Sequence, residues 1–137
     1  RGRGGQVDVI RIIAKMLSDQ RKPTILIIDQ ESRSAKEMLA HRLKGLPHIT
    51  LVGETTAGAV LPATLENLYA DAKLMIPSQR GDSQILPFMK NTRLEGRGAF
   101  PDINVQSNLP FSAGKDAILL KSIEILKKEI LGKLLRL

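Results

Sequence analysis

A chain of 137 residues is long enough for one domain with a buried core and too short for several. Aromatics are only 3% and the 21 Lys and Arg, against 14 Asp and Glu, are spread along the whole chain, so neither the stacking platforms nor the basic patch of a nucleic-acid binder is present. The lack of cysteine excludes disulfides, thiolate zinc sites and a cysteine nucleophile without fixing the compartment, and no apolar run approaches the roughly 18 residues that span a bilayer.

The chain opens RGRGGQ, with neither Met nor a visible signal peptide, and reads as a fragment or processed piece. VDVIRIIAKML then places Val7, Ile10, Ile13, Ala14 and Leu17 at helical spacing, and Pro23 forbids continuation of that helix. TILIID (24–29) has the length and β-branching of a strand buried on both faces. A second helix is predicted over about 34–45, burying Met38, Leu39 and Leu43, with Gly45 and Pro47 as its stop. ITLVGE (49–54) is another buried strand, and β-α-β with short connections implies parallel pairing.

GETTAGAVLPATLENL reads as a turn-rich bridge. AKLMIPS (72–78) and SQILPF (83–88) read as a hairpin around Arg80–Gly81–Asp82, with Pro87 weakening its second strand. LEGRGAFPDINV is a glycine-punctuated loop entering a short extended segment. From a start at Gly114–Asp116, the remainder is a long amphipathic helix, suited to core packing or self-association.

The serine-rich turn in DQESRSAKEML carries the chemical question. Ser34-Ala-Lys-Glu37 fits the S-x-x-E capping box. The same geometry suits a nucleophile: a serine at the C-terminal end of a buried strand projects where open α/β sheets bind ligands, and the next amide, that of Ala35, favours an oxyanion. A nucleophilic serine also needs a base. His41 lies two helical turns on, about 10 Å away, and His48 farther still, so both read as solvated surface residues. Local reasoning leaves cap and nucleophile both open.

Five segments in register resemble the C-terminal processing (tail-specific) serine peptidases, whose relatives include the tricorn core protease and the modules of interphotoreceptor retinoid-binding protein. RGRGGQ resembles an R-G-N-x-G-G loop, SRSAKE an S-x-S-A-x-E nucleophile segment, and HITLVGETTAG a strand with a G-E-x-T-x-G turn. LEGRGAFPDINV resembles the G-V-x-P-D signature, and GKDAILLKSIEIL the closing helix. The resemblance covers essentially all of residues 1–137, read as the C-terminal part of a catalytic domain.

The resemblance implies an α/β fold of the ClpP/crotonase type, with stacked ββα units and a mostly parallel sheet flanked by helices. It makes Ser34 the nucleophile, Ser32 and Glu37 structural, and the amides of Gly4, Gly5 and Ala35 the oxyanion hole. The lysine of the family's Ser–Lys members falls at Ala59, so that dyad is unsupported. The tricorn-like branch uses instead a histidine, here expected upstream of Arg1, oriented by a glutamate that corresponds to Glu95. Glu54 is read as a turn-stabilising acceptor, and Asp102 as fixing its loop through local amides.

No metal or cofactor is implied. A protein or peptide is the expected substrate, with self-association through the C-terminal helix and a bacterial periplasmic or other extracytoplasmic location as further expectations of the resemblance. Two alternatives share the architecture: a non-catalytic ligand- or protein-binding module like the retinoid-binding relatives, and a thioester-binding crotonase-like enzyme. The Ser-Ala-x-Glu and Pro-Asp segments disfavour the second.

Overall fold

Helical spacing at the start of the chain becomes α1 (Val7–Asp19), whose Ile10 and Ala14 are buried and whose Ile13 and Leu17 pack beside them. The structure, a computed structural model, describes residues 1–77, 86–107 and 114–135. After Pro23 the chain enters β1 (Thr24–Ile28), turns into α2 (Ala35–Leu43) and returns along β2 (Ile49–Gly53). β1 and β2 pair in parallel from Thr24 opposite Ile49 to Ile28 opposite Gly53. The short β5 (Ile103–Asn104) adds on the far side of β2, again parallel, giving the order β1-β2-β5.

Alternation along β2 sorts the helices onto two faces. Ile49 and Leu51 join the cluster formed by Ile10, Ala14, Ala35, Leu39, Ala40 and Leu43, which places α1 and α2 on one face. Thr50 points the other way and donates to Glu129 at 3.4 Å, on α3 (Ala117–Leu134). A parallel sheet covered on both faces is what the continuous apolar run of β2 requires. β2 is buried almost throughout, whereas most of β1, an edge strand among the described residues, is only partly buried. Helix α3 starts at Ala117 with Asp116 as its cap: the Leu119 amide donates to Asp116 Oδ1 at 2.9 Å.

The predicted hairpin is placed differently. The partner of β4 (Lys73–Pro77) is β3 (Ala63–Asn67), inside the stretch read as a bridge, with Ala63 opposite Pro77 and Asn67 opposite Lys73. The reversal at 68–72 closes with the Leu68 amide donating to the Ala72 carbonyl (2.9 Å) and Ala70 at φ 55°. Residues 86–88 form turns rather than a strand, and the tip at Arg80–Gly81–Asp82 lies outside the described residues.

Candidate active site

The β1–α2 turn is built on Asp29. Its Oδ1 accepts from the Ser32 hydroxyl (2.8 Å) and the Glu31 amide (3.1 Å), and its carbonyl accepts from the Ser32 amide (3.0 Å). Such a side-chain turn reverses the chain at the strand end without glycine. Ser32 is 1% exposed, and its carbonyl accepts from the Ala57 amide at 3.1 Å. Of the two serines, Ser32 is thus embedded in the turn and Ser34 is left partly open to solvent.

Ser34 occupies the N-cap of α2 with φ 56° and ψ −127°. That region belongs to the first central residue of a type II′ turn and suits glycine; holding a serine there costs roughly 1–3 kcal/mol. Of the capping box, it is the Glu37 limb that forms a hydrogen bond, and the serine hydroxyl makes no side-chain cap hydrogen bond. The Glu37 amide donates instead to the Ser34 carbonyl (2.9 Å), and the Ser34 amide donates to Glu37 Oε1 (3.1 Å) and to the Ala59 carbonyl (2.9 Å). The geometry therefore separates two functions the sequence left joined. Glu37 and the backbone hold the helix start, and the Ser34 hydroxyl is not consumed in doing so.

Glu37, 0% exposed, reaches beyond its own helix. It accepts from the Ala59 amide (2.9 Å), the Gly58 amide (2.6 Å) and the Thr56 hydroxyl. Thr56 Oγ1 in turn accepts from the Ala99 amide at 2.7 Å, tying this network to the loop that carries Glu95. Glu95 continues the pattern, its Oε2 accepting from the amides of Val60 (2.8 Å) and Leu61 (2.9 Å). Four successive main-chain N–H groups, 58 to 61, are held by two carboxylates. Glu95 Oε1 has no donor among the described residues.

The glycine-rich start runs alongside the same turn. The Arg33 amide donates to the Gly2 carbonyl and the Gly4 amide to the Arg33 carbonyl, both at 3.2 Å, forming a parallel bridge between Arg3 and Arg33. Gly5 has φ 133°, and a Cβ built on it would lie 3.5 Å from the Ala35 Cβ, so this backbone abuts the helix start. The Gly4 amide is engaged by Arg33, whereas those of Gly5 and Ala35 have no acceptor among the described residues. Gly4, Gly5, Ser34, Ala59 and Glu95 all line one cleft of about 570 Å³, to whose lining Met75 and Pro77 of β4 also contribute. Beside it lies a smaller cavity of about 210 Å³, lined by Val60, Leu61, Leu86, Met89 and Leu94 with the exposed Arg93 and Glu95.

Neither histidine is the surface residue expected. His48 is 7% exposed and its Nε2 lies 2.9 Å from the Leu17 carbonyl, because the 46–48 turn tucks it beneath the end of α1. His41 is half-buried, and burial, helped by the charges of Lys90 and Lys44, lowers its pKa against an opposing hydrogen bond to the Met89 backbone. Neither lines the Ser34 cleft. Among the described residues no lysine lines it either; at Ala59 the chain presents a methyl group.

Two acidic residues act at longer range than expected. Asp102 bonds not to its own loop but to the Leu51 amide of β2 (2.9 Å) and faces Lys44 (3.4 Å), prolonging the β2–β5 ladder. Glu54 accepts from the Ser107 amide at 2.9 Å. Sequence reasoning also missed Thr56, Met75 and Pro77 as parts of the site. Local sequence carried no signal for the last two, since every position of β3 and β4 is exposed. Among the described residues no cluster of His, Asp and Glu has the arrangement of a metal site, and no helix is long and apolar enough to cross a membrane.

Comparison with known protein families matches residues 2–105 to the model of peptidase family S41. No curated protein sequence matches the chain. The matched span contains the glycine-rich start, the Ser34 turn, the 56–61 segment and the Glu95 loop.

Proposed function

Because this chain belongs to peptidase family S41, we propose that it is the C-terminal part of a serine peptidase catalytic domain with Ser34 as nucleophile. The Ser34 hydroxyl attacks the scissile carbonyl and passes its proton to the imidazole of a histidine supplied upstream of Arg1. Glu95 orients that imidazole: its Oε2 is pinned by two amides, and its Oε1 is available to a ring N–H. The negative charge on the tetrahedral intermediate falls to the amides of Gly5 and Ala35, aided by the dipole of α2. Gly4 shapes this loop rather than donating, since its own N–H is bound to Arg33. Collapse expels the amine, which takes the proton back from the imidazolium, and water hydrolyses the ester left on Ser34. A protein or peptide chain is the substrate.

The observation that carries this reading is the backbone of Ser34, at a glycine-like φ of 56° with its hydroxyl outside the cap, in a cleft shared with Gly5 and Glu95. Strain held at a strand-to-helix turn is how exposed nucleophilic serines are presented. The test is turnover of a disordered protein by the full-length enzyme. Ser34→Ala is expected to end cleavage, and Glu95→Gln to slow it by several orders of magnitude, as neutralising a triad acid does. Unchanged cleavage by Ser34→Ala would overturn the assignment. Binding of ligands with no hydrolysis by the full-length protein would favour the non-catalytic module.

A further inference from the structure

We propose that the 210 Å³ cavity beside the Ser34 cleft is a specificity pocket that takes one medium-sized aliphatic side chain, leucine or methionine, from the residue adjoining the scissile bond. The proposal rests on the peptidase reading of the cleft. The two spaces share Val60, Leu61 and Glu95 as a common wall, so a chain lying in the cleft has the cavity at its side. That wall is held fast, because the Val60 and Leu61 amides are both bonded to Glu95. The deeper surface is preformed as well: Val60, Met89 and Leu94 are buried in one cluster with Met38.

Size and chemistry narrow the occupant. Pockets that hold a whole small molecule run to roughly 300–1,000 Å³, so a space of this volume has room for one side chain. Its charged members, Arg93 and Glu95, are both exposed, and the remaining lining is aliphatic or thioether. A polar side chain would lose hydration against the buried Val60, Met89 and Leu94, since the charged groups of Arg93 and Glu95 lie at the exposed edge of the lining, whereas an aliphatic one gains burial. Met89 gives the wall an adaptable contact suited to an unbranched or γ-branched chain.

The experiment is cleavage-site mapping of a randomised peptide library by the full-length protein. Leucine and methionine are expected to be enriched about tenfold or more next to the cut bond, with aspartate depleted to a similar degree. Leu86→Trp fills the cavity from a partly exposed position. It is expected to lower the ratio of kcat/KM on a leucine peptide to that on an alanine peptide about tenfold or more. Leu86→Ala, the gentler change, is expected to extend acceptance to phenylalanine.

Ser34-dependent cleavage that is indifferent to the neighbouring side chain, or unaltered by both Leu86 variants, would overturn the pocket and leave the peptidase reading standing. Absence of any Ser34-dependent cleavage would instead defeat the peptidase reading. The cavity is then read by the Met89 methyl resonance, expected to shift on titration with N-acetyl-leucinamide and not with the aspartate analogue. No shift with the leucine compound would overturn the pocket too.

Discussion

Glu37 is where one side chain does most to hold the site together. All its acceptor capacity is used: Oε1 takes the Ser34 and Ala59 amides, and Oε2 takes the Gly58 amide and the Thr56 hydroxyl. Glu37→Gln keeps the shape but turns one acceptor into a donor facing donors. Leaving buried N–H groups unpaired is expected to cost about 2–4 kcal/mol, measured by chemical denaturation. The S-x-x-E spacing announced the contact with Ser34. The reach to residues 56–59 was not legible, because no local pattern links positions 20 residues apart.

His41 gives a second residue-scale expectation. Its folded pKa lies below the ordinary value, so the unfolded chain binds the proton more readily. The stability tied to the neutral ring is therefore present above the unfolded pKa of about 6.5, and is lost as pH falls below it. His41→Gln should lose less of its melting temperature than the parent protein between about pH 7.5 and about pH 5.5. Equal losses would show that the ring is not desolvated as described.

At the scale of elements, the segment from Thr56 to Leu61 and the Glu95 loop form a single unit of interlocked backbone. The Gly96 amide donates to the Gly58 carbonyl (2.8 Å), and the Thr56 amide to the Ala99 carbonyl (3.1 Å). Approach is so close that a Cβ on Gly98 would fall 2.3 Å from the Thr56 carbonyl oxygen, with φ at 73°. Gly98→Ala is accordingly expected to destabilise the fold by at least about 1–3 kcal/mol, through strain and forced separation of the two segments. An unchanged denaturation midpoint would contradict this packing.

The regular elements were the legible part. Apolar periodicity gave α1 and α3, and two apolar β-branched runs gave the parallel pair β1–β2. The β3–β4 hairpin was missed for a physical reason. All ten of its strand positions are exposed, so no buried face imposed a pattern on either strand. The segment 83–88, despite Pro87, looked the better partner for β4 on composition alone.

For the whole molecule, the chain brings the glycine start, the α2 N-terminus and the Glu95 loop to one end of a parallel sheet, where α/β folds place their ligands. Order along the chain made the Ser34–Glu95 pairing legible through the family resemblance; distance in sequence kept it invisible to local reasoning. With both of its histidines away from the cleft, the 137-residue chain alone is expected to show no steady peptide hydrolysis beyond the small residue left when a triad member is missing. Sustained cleavage by this chain, abolished by Ser34→Ala, would contradict the need for an upstream histidine.

The central claim is that the Ser34 hydroxyl is an activated nucleophile rather than a helix cap. A fluorophosphonate reacts covalently with such a serine, and peptide mass mapping of the treated full-length protein locates the adduct. One adduct is expected, on Ser34, absent from Ser34→Ala and formed far more slowly in Glu95→Gln, with the melting temperature of each variant within a few degrees of the parent. A full-length protein that hydrolyses peptides while Ser34 stays unlabelled, or that is labelled at another serine, would contradict the account.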